Sequence, residues 1–188
     1  MSDIAELHAL ALDQTGRVVA AIKPGQLRAD TPCDGWDVHA LLNHLVAGNL
    51  WAAELGAGAT IAGVGDRLNG DVLGADPAAS YATSAAAAAA TFRKPGALDA
   101  PCAVSYGPVP GSVYAGHRML DVFVHGWDLA VATGQDTNLD SALMRACREV
   151  IEPQVAAFRA AGALGEEQPV PPDATDQQRF LAMLGRKG

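Results

Sequence analysis

The segment from His117 to Ala130 places two ionisable residues, Asp121 and His125, four positions apart among apolar neighbours. Four residues are about one helical turn, so both side chains leave the same face of a helix and can converge on one point. An acid and an imidazole on an apolar helix cost free energy unless hydrogen bonds or a metal ion compensate them. The spacing alone leaves two interpretations open: a buried ion pair, which is the commoner arrangement, and a metal site.

Apolar residues recur at helical spacing along most of the chain, and helix start and stop signals divide this pattern into segments. Asp76-Pro77 is a typical helix start, Gly134 a typical stop, and Pro153 predicts a break inside a helix. The predicted helices span residues 4–22, 38–51, 77–94, 112–133, 140–161 (or from 138) and 175–184, with Asp37 as the N-cap of the second.

The connections between these helices carry turn-forming residues. Residues 56–74 are rich in glycine and predict an irregular connection, and residues 96–110 predict extended chain with a short strand at 103–106. Residues 165–172 predict a linker. The sum is an all-α fold: a four-helix bundle over residues 1–162, and a linker with a short helix packing on the bundle over residues 163–188.

Composition and charge narrow the function. The 188 residues are 49% hydrophobic and 18% charged, as expected of a globular chain that buries a core. The net charge of −8 and the scattered 13 basic residues argue against nucleic acid and acidic membranes. The N-terminus, Met1-Ser2-Asp3, lacks the pattern of a signal peptide, and no apolar run is long enough to span a bilayer. We expect a cytoplasmic protein, monomeric or homodimeric, that acts on small molecules.

The three cysteines, Cys33, Cys102 and Cys147, are odd in number and lack the close paired spacing of zinc knots or redox dithiols. We expect reduced and mostly buried thiols. Cys33 lies in a loop motif and could lie near a site, but we favour a packing role.

Histidine spacing restricts the choice of metal ligands. His117 and His125 lie eight positions apart, roughly 12 Å along a helix, and cannot share one ion. A third ligand must therefore come from another helix. His44 is the best candidate, because Leu41, Gly48 and Trp51 share its helical face and indicate that this face looks inward.

The other polar and aromatic candidates are weaker. We expect His8 and His39 to be solvated or first-turn residues. For His117 we favour a structural role, with two alternatives: a contact to a ligand residue, or a position at the site's mouth. Asp128 lies three positions after His125 and therefore shares its helix face. It could hydrogen bond the free nitrogen of a ligating histidine, although a capping or ion-pair role is equally open. Trp36 and Trp127 are expected in the core.

Two motifs carry a family resemblance. Residues 31–38, TPCDGWDV, followed by 41–45, LLNHL, and the second block at 121–130, DVFVHGWDLA, resemble the DinB-like family that includes the mycothiol-dependent maleylpyruvate isomerases. The resemblance implies a four-helix bundle with a divalent ion, commonly zinc, held by His44, Asp121 and His125. In the pattern of the isomerases that this chain resembles, glutamate stands at the position of Asp121. Aspartate is one methylene shorter, so the ion should lie nearer this helix or be bound differently. They also carry a longer C-terminal domain.

The resemblance further implies a metal-dependent thiol transferase or isomerase in which the ion activates mycothiol toward an electrophilic small molecule. Three protein ligands leave one coordination position open, as in catalytic zinc sites. Two alternatives remain: a hydrolase that uses metal-bound water, and a metal-binding sensor or stress protein without catalysis.

Overall fold

The computed structural model describes residues 3–187, so Met1 and Ser2, part of the N-terminal segment interpreted above, lie outside the described residues. The chain forms two compact units, the first ending at Thr137 and the second beginning at Asn138. The domain limits expected from the sequence, 1–162 and 163–188, remain a prediction. The first unit contains helices α1 (Ile4–Ala20), α2 (Val38–Gly56), α3 (Ile61–Val64), α4 (Pro77–Phe92) and α5 (Gly111–Thr133), with strands β1 (Pro101–Val104) and β2 (Gly107–Pro110) before α5.

The four long helices of the first unit form the predicted bundle, and the all-α class is confirmed. Helix α1 packs against α4 and α5, and helix α2 packs against the same two helices. Close approach of α1 and α5 depends on Gly126, because a Cβ added there would lie 3.1 Å from Cβ of Thr15. The Thr15 hydroxyl donates a hydrogen bond to the carbonyl of Val122, which joins the two helices at the same level.

Three of the predicted helix boundaries are confirmed by their caps, whereas α2 extends to Gly56, beyond the predicted end at residue 51. The Asp37 carboxylate accepts a hydrogen bond from the backbone N–H of Ala40 at 2.8 Å and starts α2. Asp76 caps α4 in the same way, ahead of Pro77 at the first helical position. Gly134 ends α5 in the left-handed region with φ +68, a conformation that favours glycine.

Two connections differ from the sequence-based expectation. The strand predicted at residues 103–106 is partly correct: Ala103 and Val104 belong to β1, which pairs with β2 in an antiparallel hairpin, whereas Ser105 and Tyr106 make its turn. Gly107 follows with φ +111, which supports the tight reversal. The connection at 56–74 is not wholly irregular, because the Thr60 hydroxyl caps the short helix α3 and a 3₁₀ segment, Gly65–Leu68, follows it.

The second unit is also helical. It contains α6 (Ser141–Ile151), α7 (Val155–Ala160) and α8 (Asp176–Met183), and α6 contacts α8. The break predicted at Pro153 is confirmed, since this residue lies in a 3₁₀ segment that separates α6 from α7. Among residues 3–187, none of the helices combines the length and the apolar character that crossing a bilayer requires.

Candidate metal centre

Three side chains from two helices converge at one point of the bundle. His44 comes from α2, and Asp121 and His125 come from successive turns of α5. The Oδ1 atom of Asp121 lies 3.1 Å from Nε2 of His44 and 3.6 Å from Nε2 of His125. All three residues offer donor atoms within 4.8 Å of one another. The structure therefore brings together the three residues that the sequence predicted to share a site.

These separations suit a metal ion. Nitrogen and oxygen ligands about 2.0–2.1 Å from a tetrahedral zinc ion lie roughly 3.3 Å apart. The two distances from Oδ1 of Asp121, 3.1 and 3.6 Å, lie on either side of that value. The site is open to solvent, with 35% of the His44 side chain and 27% of the Asp121 side chain exposed. The donor set fits a divalent ion with room for an exogenous ligand.

The second oxygen of Asp121 is held by a guanidinium. Nη1 of Arg118, one helical turn earlier on α5, donates to Oδ2 of Asp121 at 2.9 Å. Burial raises the pKa of Asp121. The nearby Arg118 and His125 and the hydrogen bond with His44 lower it, and their combined effect is larger than that of burial. The net pKa lies well below the usual range of an aspartate, so the carboxylate is ionised and able to ligate a cation.

Arg118 reaches Asp121 across the surface of helix α2. Its guanidinium lies over Gly48, where an added Cβ would come within 2.6 Å of Cζ. Nη2 of Arg118 also approaches Oδ1 of Asn49 at 3.5 Å. The absence of a side chain at Gly48 thus makes the space in which the guanidinium lies flat against the helix.

The other nitrogen of the His125 ring faces a buried carboxylate. Nδ1 of His125 lies 2.9 Å from Oδ2 of Asp128, and Asp128 is fully buried. A carboxylate only accepts, so Nδ1 of His125 is the donor in this hydrogen bond, and Nε2 is the nitrogen directed toward Asp121. The hydrogen bond expected of Asp128 is present; its influence on metal binding stays a prediction.

Cys33 lies beside the same pair. Its Sγ atom is 3.2 Å from Oδ2 of Asp128 and 3.7 Å from Nδ1 of His125. The favoured packing role for Cys33 is wrong, because the thiol is half-buried and contacts site residues; its alternative, a position near the site, is confirmed. Cys102 and Cys147 are buried thiols, as predicted.

Trp36 also lies at the site rather than in the core. The residue is 37% exposed, and its ring centroid lies 5.0 Å from that of His44 and 6.2 Å from that of His125. The core position expected for Trp36 is therefore wrong, whereas Trp127 is buried as predicted. The indole adds an exposed apolar surface next to the three donors.

The remaining histidines lie elsewhere. His8 is fully buried, with its ring edge-on to Phe92 at 5.2 Å, so the expected solvated position is wrong. The cause is that its helical face packs into the bundle. His39 lies in the first turn of α2 with Nε2 3.4 Å from Asp71, as expected of a first-turn residue. His117 contacts the hydroxyl of Tyr106 in the hairpin turn at 2.8 Å.

Comparison with known proteins assigns the chain that carries this site to a family. The family model of the mycothiol maleylpyruvate isomerase N-terminal domain matches residues 8–130, a range that includes most of the four bundle helices and all three converging donors. The chain belongs to this family. An uncharacterized protein of Mycobacterium tuberculosis, found in strains CDC 1551 / Oshkosh and H37Rv, is 34% identical over 188 residues, 95% of each chain.

Solved structures of the mycothiol-dependent maleylpyruvate isomerase share the fold. The crystal structure of a mutant matches with a TM-score of 0.64 and 14% identity, covering 88% of this chain and 73% of that one. A second crystal structure of the isomerase matches with a TM-score of 0.61, 15% identity and the same coverage. The family resemblance inferred from the two sequence motifs is confirmed.

Sequence reasoning missed Arg118 and assigned Cys33 and Trp36 to the wrong surroundings in this isomerase-like chain. One signal was available for the last two. Cys33 and Trp36 lie in the loop that leads directly into α2, so they are close to the N-terminus of the helix from which His44 projects. Arg118 lies one turn before Asp121, where a hydrogen-bonding partner on the same helix face is expected.

Proposed function

We propose that His44, Asp121 and His125 bind a divalent metal ion, with zinc as the first candidate. We further propose that the chain is a metal-dependent thiol transferase or isomerase that uses mycothiol. The observation that carries the proposal is the convergence of two imidazoles on one carboxylate oxygen at 3.1 and 3.6 Å. Membership of the mycothiol maleylpyruvate isomerase N-terminal domain family supports the choice of thiol.

The chain's own residues prepare the donors for a cation. Arg118 binds Oδ2 of Asp121 and leaves Oδ1 directed at the two histidines. Asp128 fixes the proton of His125 on Nδ1, so that Nε2 has the lone pair that a ligand needs. Two of the three donors are thus oriented by a further residue, which reduces the conformational freedom lost when an ion binds.

The charges of the site suit a thiolate. The carboxylates of Asp121 and Asp128 together exceed the single guanidinium of Arg118 by one negative charge. A dication at the three donors would reverse that sign and attract an anionic sulfur. When bound, such an ion lowers the pKa of a coordinated thiol, and this supplies a nucleophile at neutral pH.

The exposed side of the site supports a small electrophilic substrate. Trp36 presents an apolar surface beside His44, and more than a third of the residue is accessible. A compact substrate can lie against this ring and within reach of a thiol at the donors.

Metal content tests the first part of the proposal. We expect purified protein to contain close to one equivalent of zinc, and His44→Ala and Asp121→Ala to lose it. His39→Ala is the matched control, because His39 lies on the same helix but pairs with Asp71 at the surface. Equal metal in all four proteins, measured by elemental mass spectrometry, would contradict the assigned ligands.

Thiol dependence tests the second part. The zinc-loaded protein is incubated with a panel of small electrophiles, with and without mycothiol, and adducts and isomers are followed by mass spectrometry and chromatography. We expect turnover only with the thiol, and none in His44→Ala. Hydrolysis of substrates without thiol would instead identify a hydrolase, and bound zinc without any turnover would favour a non-catalytic metal protein.

A further inference from the structure

A second set of donors lies on the opposite side of the His125 ring. Sγ of Cys33 is 3.7 Å from Nδ1 of His125 and 3.2 Å from Oδ2 of Asp128, and the last two atoms are 2.9 Å apart. Tetrahedral zinc has ligand separations of roughly 3.5 Å between sulfur and nitrogen or oxygen, and about 3.3 Å between nitrogen and oxygen. Each observed distance is within about 0.4 Å of those values.

The loop that carries Cys33 is held in place by its own hydrogen bonds. The Thr31 hydroxyl accepts from the backbone N–H of Cys33 at 3.1 Å and donates to the carbonyl of Trp36 at 2.8 Å. The N–H of Trp36 closes a turn onto the carbonyl of Cys33 at 3.0 Å, and Gly35 provides the positive φ of +77 that the turn requires. The thiol is therefore presented in a fixed position above α5.

The buried carboxylate gives this set its charge. Asp128 is completely removed from solvent, whereas Cys33 is half-buried and reachable from the surface. An ion entering past Cys33 would meet a thiol, an imidazole nitrogen and a carboxylate in succession. Sulfur donors favour soft cations, so the set favours cadmium or cuprous ions over the borderline zinc ion and over magnesium or calcium.

We propose that Cys33, Nδ1 of His125 and Asp128 form a second metal site, selective for a soft cation. A neutral imidazole has one lone pair for a metal, since its other nitrogen carries the proton. The two sites share that ring, so they are alternative positions for a single ion per chain. Binding at the second site moves the imidazole proton to Nε2 and releases the thiol proton to solvent. This proposal does not depend on the thiol chemistry proposed above.

Cadmium is the probe, because a cadmium–thiolate bond gives a charge-transfer absorption in the near ultraviolet that nitrogen and oxygen ligands do not give. The full chain, freed of metal, is titrated with Cd²⁺ alone. We expect the band to saturate at one equivalent, to disappear in Cys33→Ser, and to persist in Cys102→Ser, the matched control with a buried thiol. Circular dichroism verifies that each variant is folded.

A further variant separates this site from the first one. His44→Ala removes a donor of the first set only, so we expect it to lose zinc yet keep the cadmium–thiolate band. The second site would be overturned if wild type showed no band, or if the band survived in Cys33→Ser. Neither result bears on the first site, which the zinc content of His44→Ala tests separately. Loss of the band in His44→Ala would overturn it too, because Cys33 would then be a fourth ligand of the first set.

Discussion

Asp128 and His125 form a hydrogen bond of 2.9 Å in which the carboxylate is fully buried and the imidazole is directed toward Asp121. The two residues are three positions apart on α5, so the helix itself sets their relative position. The consequence is a fixed orientation of the imidazole before any ligand arrives.

Replacing Asp128 by asparagine is expected to weaken zinc binding. The neutral amide accepts a hydrogen bond less strongly and can turn its own N–H toward Nδ1, so the imidazole loses both orientation and basicity. We expect the zinc Kd, measured by competition with a chromophoric chelator, to rise roughly 10–100-fold. Asp71→Asn is the control, since Asp71 pairs with His39 at the surface. Equal changes in the two variants would contradict the assigned role of Asp128.

A methyl group at Gly48 is expected to displace Arg118 from Asp121. An added Cβ would lie 2.6 Å from Cζ of Arg118, and this side chain is only 10% exposed and has little room to move. Glycine to alanine in an ordinary helix interior stabilises by about 1 kcal/mol. We expect that gain in Gly16→Ala, where the nearest Tyr81 atom would be 3.4 Å away, but a lower Tm and weaker zinc binding in Gly48→Ala. Stabilisation of both variants would refute the steric argument.

The buried imidazole of His8 is expected to make the protein less stable in acid. Burial, together with the charges of Arg118 and Arg93, lowers the pKa of His8 from 6.5 to about 3. Between these values the unfolded chain binds a proton that the folded chain does not, so the free energy of unfolding falls as the pH falls through this window.

The matching measurement compares wild type with His8→Leu by urea denaturation at pH 8 and pH 5. Leucine cannot titrate. We therefore expect the free energy of unfolding of His8→Leu minus that of wild type to be about 2 kcal/mol larger at pH 5 than at pH 8. Taking the difference between the two proteins removes the contribution of the other groups that titrate in the same pH range. A difference that does not change with pH would show that His8 is protonated in the folded state.

Removal of metal is expected to lower stability. An ion that binds only the folded state stabilises it by about 2.7 kcal/mol when its concentration is about 100 times Kd. We expect a strong chelator to reduce the free energy of unfolding of wild type by an amount of this order and to leave His44→Ala unchanged. An unaltered wild-type denaturation curve would favour an ion pair without metal at Asp121.

The elements of the fold follow largely from local signals. Asp37 and Asp76 cap their helices, Gly134 stops α5 and Pro153 breaks the last long helix, because each acts on backbone groups within a turn of itself. The sequence predicted one short strand at residues 103–106, whereas the structure has a hairpin of two strands before α5. Its turn depends on pairing between β1 and β2, which no single strand pattern reveals.

The sequence by itself determined that Asp121 and His125 share a helix face and that His44 lies on an inward face of another helix. Helical periodicity fixes both, since it depends only on neighbours along the chain. The tertiary structure alone decided that Cys33 and Trp36 meet these residues, that Arg118 lies over Gly48, and that His8 is buried. These contacts join residues far apart in sequence, and their positions depend on how helices pack and how a loop is closed, which involves the whole bundle at once.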